Sequence, residues 1–189
     1  MSEKKILFRC DAGLKKEIGT GHLFRSISLA KMLIFSGKIK KKNLIFLIKS
    51  KKKYSIAKNI IKKEVFFFKS LNNEIKDYSK EEFNEITKID FDTIIFDRLG
   101  KINNKFIQKL KKLKKKIICF DDKSKNKFLC DLSFNPLIFD KIYNKINHMS
   151  GYDYNILPSE LIKTKNKQII KINKIFLSFG GYDNKNLLK

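Results

Sequence analysis

The chain contains no tryptophan, only two prolines, eight glycines and three cysteines in 189 residues. No internal repeat or low-complexity linker is evident beyond a bias toward lysine. The cysteines, Cys10, Cys119 and Cys130, are odd in number and lack metal-ligand spacing, so neither a disulfide framework nor a metal site is expected. They read as reduced, mostly buried thiols. No run of eighteen apolar residues occurs, and the opening MSEKKILFRC is charged too early for a signal peptide or a membrane span. A cytoplasmic protein without membrane insertion is the expectation. Acidic residues are scarce, 19 against 43 basic, and the net charge of +24 would attract any polyanion in a salt-dependent way. Against that, the charge is nearly all lysine, spread along the chain together with the isoleucine and asparagine that A+T-rich codons supply. The phenylalanines that could stack on bases sit inside apolar runs such as Phe66 to Phe68. Compositional drift accounts for the charge better than a nucleic-acid partner does, and a basic nucleic-acid-binding module is kept only as the alternative from another class.

Arginine is scarcer still, occurring only as Arg9, Arg25 and Arg98. In a background that supplies lysine so freely, a retained arginine points to a need for its planar, five-donor fork. Two of the three lie in the segment Arg9 to Arg25, which also holds Gly13, Gly19, Gly21 and His22, one of two histidines. This segment is the first candidate for a functional site.

At 42% hydrophobic content the chain can bury one substantial core. Short continuous apolar runs at Lys5 to Cys10, Asn43 to Ile48, Val65 to Phe68, Thr93 to Phe96 and Ile117 to Phe120 suit strands buried on both faces. Between them, helical patterns fall at Gly21 to Phe35, Tyr54 to Lys63, Lys80 to Lys88 and Asn103 to Lys115. The alternation predicts an α/β fold with a Rossmann-like, doubly wound parallel sheet. In such sheets ligands sit at the carboxyl ends of the strands, where Asp11, Asp97 and the pair Asp121 and Asp122 fall. After Asp131 the pattern turns irregular. A polar stretch, Lys163 to Lys167, then precedes a further apolar run, Ile172 to Phe179, which ends in Gly180 and Gly181. A first domain over 1–163 and the start of a second over 164–189 are expected.

The string IGTGHLFR places glycines where a helix begins, so backbone N–H groups and the positive helix end favour an anionic ligand. Its spacing matches neither the dinucleotide fingerprint nor the phosphate-loop lysine pattern, so no NAD, ATP or other cofactor is implied. His22 and Arg25, three residues apart on that helix, would share a face. An imidazole can take a proton from water, and the arginine would tend to keep it unprotonated while holding a negative substrate group.

The segments FRCDAG, IGTGHLFRSISLAKML, IIFD with LG, FDD, NP, GYDYNIL with SEL, and FLSFGGYDNKN occur in an order that resembles the N-terminal half of a known family. These are the UDP-2,4-diacetamido-2,4,6-trideoxy-beta-L-altropyranose hydrolases of pseudaminic acid biosynthesis, with the similar spore-coat polysaccharide proteins. The resemblance runs through the chain and is most specific at Gly21, His22 and Arg25. It implies a two-domain GT-B fold in which water displaces UDP from the anomeric carbon with inversion and without a metal. By this likeness His22 is the general base, with Arg25, Asp11 and Asp97 as catalytic partners. Arg9, Gly19, Gly21, Gly180, Gly181 and Asp183 are the expected substrate contacts. The partner implied is a UDP-sugar, bound by a monomer, and the chain ending at Lys189 is expected to bind it weakly. A glycosyltransferase of the same fold, with an acceptor hydroxyl in place of water, is the nearest alternative. The chain departs from the family where Asp-His-Tyr-Gly reads Asp97, Arg98, Leu99, Gly100, and where Pro158 replaces an arginine.

Overall fold

The computed structural model describes residues 3–13, 18–98, 100–136 and 146–158. The proposed domain boundary at 163, the run Ile172 to Phe179, and Gly180, Gly181 and Asp183 lie outside them.

Among the described residues, seven strands form one parallel sheet: β1 (Ile6–Cys10), β2 (Leu44–Lys49), β3 (Phe67–Leu71), β4 (Thr93–Asp97), β5 (Lys116–Phe120), β6 (Leu132–Asn135) and β7 (His148–Ser150), in the order β3-β2-β1-β4-β5-β6-β7. The α-helices α1 (Gly21–Phe35), α2 (Ser55–Lys63), α3 (Lys80–Thr87) and α4 (Asn104–Lys112) accompany them among the described residues. This is the Rossmann-like α/β architecture that the alternating pattern predicts. No helix among the described residues is long and apolar enough to cross a membrane.

Strand alternation sorts the core into two layers. Phe8, Cys10, Phe46, Ile48 and Ile95 face the helices α1 and α2, where Leu23, Ile27, Ala30, Ala57 and Ile61 cover them. Leu7, Leu47, Ile94, Phe96 and Ile117 face the other side and pack against Ile86 of α3 and Phe106, Ile107 and Leu110 of α4. The Phe8 and Phe46 rings stack at 4.8 Å between neighbouring strands. Each fully buried side chain of this kind contributes about 1.5–3 kcal/mol, and a sheet covered on both faces needs no polar alternation. Caps start two helices: Ser79 Oγ accepts from the Glu82 backbone N–H at 3.2 Å, and Asn103 Oδ1 accepts from the Phe106 N–H at 3.3 Å.

Two expectations shift. The third strand is Phe67–Leu71 rather than Val65 to Phe68, because Val65 sits at φ 57° in the turn that ends α2 and cannot join the ladder. The region after Asp131 is not wholly irregular, since β6 and β7 extend the sheet through pairs such as Ser133 with His148. Those strands span only four and three residues, too few to show a period.

The order reverses at β1. The chain leaves β1 for α1 on one face and leaves β4 for α4 on the other, so the two connections diverge and open a crevice at the carboxyl ends of β1 and β4.

Candidate active site

The crevice has a volume of about 220 Å³ and is lined by Asp11, Ile18, His22, Lys53, Tyr54, Asp77 and Arg98. Two charge clusters build it, one on each face of the sheet.

The first cluster joins the start of α1 to the ends of β4 and β5. Helical spacing brings His22, Arg25 and Ser26 over the last residue of β4, Asp97, whose side chain is 1% exposed. His22 Nδ1 lies 2.8 Å from Asp97 Oδ1. Arg25 grips the same carboxylate with two nitrogens, Nε to Oδ2 at 2.9 Å and Nη2 to Oδ1, and Ser26 Oγ donates to Oδ2 at 3.2 Å. Burial alone would push the Asp97 carboxyl up, but the hydrogen bonds from Arg25 and His22 outweigh it and hold the group below the usual carboxylate range. Asp97 is therefore an ionised acceptor, and an acceptor facing Nδ1 requires a hydrogen on Nδ1. In the neutral ring the lone pair then resides on Nε2, which has no hydrogen-bond partner among the described residues. An imidazole held this way is equipped to accept a proton from a molecule in the crevice.

Arg25, expected beside His22, is held there by this protein's own carboxylates. Its guanidinium also donates to Asp121 Oδ2 at 2.6 Å and lies over the Phe120 ring, 4.9 Å from its centroid. Burial would lower its pKa, but Asp97 and Asp121 raise it instead. With two carboxylates compensating one cation, Arg25 orients Asp97 and leaves little charge for a substrate. His22, Asp97 and Asp121 offer ligand atoms within 4.8 Å of one another, a spacing a metal ion could use. Arg25 Nη2 already bonds both acids, so a side-chain cation serves that group.

The second cluster lies on the α3 side. Arg9 is fully buried; its Nε donates to Glu82 Oε1 at 2.7 Å, its Nη1 meets Asp11 Oδ2 at 2.8 Å, and Asp77 lies 3.5 Å from Nη2. Arg9, an expected substrate contact, has no part that reaches the surface. Arg98 clasps both Glu82 oxygens, at 2.6 and 2.9 Å, and its guanidinium stacks 4.0 Å from the centroid of Tyr78. Its Nε is buried without a partner. Lys49 Nζ reaches Asp77 Oδ1 at 2.9 Å. Three cations and three carboxylates balance here. Burial pushes the Glu82 carboxyl upward, yet Arg98 and Arg9 outweigh it and hold it at about 2.

Asp11 lines the crevice with His22, but both its oxygens are committed, Oδ1 to the Lys49 backbone N–H at 2.8 Å and Oδ2 to Arg9. It clasps β1 to β2 and does not touch the imidazole. Gly19 sits at φ 60°, a left-handed conformation that favours glycine, and its carbonyl accepts from the Gly13 N–H at 2.9 Å. Gly21 opens α1, and a Cβ there would meet nothing within 4 Å, so its neighbourhood is open.

Sequence reasoning passed over Glu82, Asp77, Lys49, Lys53 and Tyr54, and placed Asp121 at a strand end without giving it a partner. The signals for Asp121 were its position directly after the buried run KIICF and its place in the segment FDD.

No protein-family profile and no curated protein matches the chain. Among solved structures, the Moco carrier protein of Chlamydomonas reinhardtii is similar at 15% identity and a TM-score of 0.41, covering 67% of this chain and 83% of that one. A second structure of the molybdenum cofactor carrier protein from the same organism gives 13% identity and a TM-score of 0.37, over 64% and 79%. At such values the likeness bears on neither ligand nor activity.

Proposed function

We propose that the protein hydrolyses a UDP-linked amino sugar, with His22 as the general base, as a member of the two-domain hydrolase family that its GHxxR segment resembles. The observation that carries this reading is the Asp97 to His22 Nδ1 contact of 2.8 Å at the switch point of the sheet, which leaves Nε2 without a partner among the described residues, on a side chain that lines the crevice. A water there would give its proton to Nε2 while its oxygen attacks the anomeric carbon. The bond from that carbon to the diphosphate oxygen breaks, and its electron pair leaves with UDP. Uncapped N–H groups at the start of α1, which has no acidic residue in its first turn, would favour the departing charge.

The crevice size fits a division of labour. Its volume of about 220 Å³ falls below the roughly 300–1,000 Å³ of pockets that enclose whole drug-sized ligands, so it suits a sugar ring rather than a complete nucleotide sugar. The uridine diphosphate would be held by a second domain, to which Gly180, Gly181 and Asp183 would belong.

The test is the fate of solvent oxygen. The natural gene product, incubated with UDP-linked amino sugars in ¹⁸O-water, is expected to release UDP and place ¹⁸O on the anomeric carbon, none on phosphorus. UDP release that requires an added sugar or lipid alcohol would instead establish a transferase of the same fold. Label on phosphorus, or no release from any such donor, would remove the hydrolase reading.

A further inference from the structure

A guanidinium Nη2 carries two hydrogens. Around Arg25 Nη2 stand three acceptors: Asp97 Oδ1, Asp121 Oδ2 at 2.6 Å and His22 Nδ1 at 3.3 Å. The two carboxylates take both hydrogens, so none is left for Nδ1. His22 must then supply a hydrogen of its own to its 2.8 Å contact with Asp97, and that hydrogen sits on Nδ1.

We propose that Asp121 is a positioning residue that fixes the tautomer of His22 by consuming the second hydrogen of Arg25 Nη2. The inference rests on the reading of His22 as the base. Without Asp121, the freed hydrogen turns to Nδ1 and competes there with the ring's own hydrogen for the nitrogen lone pair. Asp97 Oδ1 accepts from Arg25 and His22 together and so opposes the change, and the loss of Asp121 tips the balance toward Nε2–H. The second ring nitrogen then becomes a donor that cannot accept a proton from water.

The backbone supports a dedicated role. Asp121 sits at φ 53°, where aspartate, asparagine and glycine are tolerated and most side chains are not. It is held there by its own N–H, which donates to the Phe134 carbonyl at 2.9 Å. Phe120, the preceding residue, lies under the guanidinium and sets its plane. The geometry at the end of β5 thus aims one acceptor at one nitrogen.

That conformation also selects the variants. Asp121→Gly tolerates the backbone and removes the acceptor, whereas Asp121→Asn tolerates it and keeps an acceptor oxygen. The protein has only two histidines, so ring nitrogens labelled with ¹⁵N can be assigned by comparison with His22→Gln. Long-range ¹H–¹⁵N spectra of the neutral ring are expected to show Nδ1–H in the parent and in Asp121→Asn, and Nε2–H predominating in Asp121→Gly. A tenfold inversion of the tautomer ratio lowers kcat about tenfold with KM unchanged, because only the Nδ1–H fraction is competent. Nε2–H in the parent overturns the proposal even if the glycine variant does not fold. So does a glycine variant that keeps Nδ1–H, or an asparagine variant that inverts as fully as the glycine one. A glycine-sensitive tautomer in a protein that releases no UDP would remove the hydrolase reading and leave the role of Asp121 standing.

Discussion

Replacing Glu82 with glutamine tests the second charge cluster at its centre. The carboxylate is fully buried and receives Arg9 Nε at 2.7 Å, Arg98 Nη1 and Nη2 at 2.6 and 2.9 Å, and the Tyr78 backbone N–H at 2.5 Å. Glutamine fills the same volume but removes one negative charge from a cluster of three cations and three carboxylates, leaving one buried positive charge uncompensated. Breaking a buried pair in this way costs about 3–5 kcal/mol. The titration of the carboxyl gives a second route to the magnitude. Burial raises it, Arg98 and Arg9 outweigh that, and the folded value of about 2 against an ordinary 4.5 corresponds to about 3 kcal/mol. Because the folded value is depressed, this stability is fully present above pH 4.5 and is lost as pH falls toward 2. Urea unfolding followed by circular dichroism should therefore find Glu82→Gln about 3–5 kcal/mol less stable at pH 7, with the gap to the parent closing between pH 4.5 and 2. A gap under about 1 kcal/mol at pH 7, or one that stays constant down to pH 2.5, would refute the argument.

Asp97→Asn is expected to lower kcat by roughly 10²–10⁴-fold in a UDP-release assay, because an amide can donate to Nδ1 and so favours the unproductive tautomer. Unchanged turnover would mean that Asp97 does not orient the base. Gly13→Ala places a Cβ 2.5 Å from the Lys53 carbonyl and should lower the stability by about 1–3 kcal/mol while shifting the Lys53 and Tyr54 wall of the crevice. Thermal unfolding checks the first effect, and backbone amide shifts at 53 and 54 check the second. Burial pushes the Cys10 thiol up, contact with Cys130 and burial do the same for Cys119, and Cys130 itself is 2% exposed. Ellman's reagent at pH 8 should therefore find negligible fast-reacting thiol in the folded protein and three in guanidinium.

The helix bearing the site was legible because its signals are local. Glycines at Gly19 and Gly21 and apolar steps at Leu23, Ile27 and Ala30 predict Gly21 to Phe35, the span observed. The strands ending at Cys10 and Asp97 were legible for the same reason, being continuous apolar runs that stop at an acid. What could not be read is who pairs with whom across the sheet. Ser79 and Glu82 look like a helix capping box, and Ser79 does cap the Glu82 N–H. The Glu82 side chain, however, reaches Arg9 and Arg98, 73 and 16 residues away, and no local pattern announces that. Arg9 and Arg25 were both legible as arginines kept for their forks, but their partners are this protein's own carboxylates. Scarcity marked the residue type and could not distinguish a ligand contact from an internal ion pair.

The account stands on His22, and kcat for the His22→Ala variant of the natural gene product tests it most directly. With a UDP-linked amino sugar at saturating concentration and released UDP as the readout, turnover is expected to fall by about 10²–10⁴-fold while the fold, followed by circular dichroism, is unchanged. An alanine variant that releases UDP at the parental rate would show that another group activates the nucleophile and would contradict the assignment of the Asp97 and His22 pair as the catalytic base.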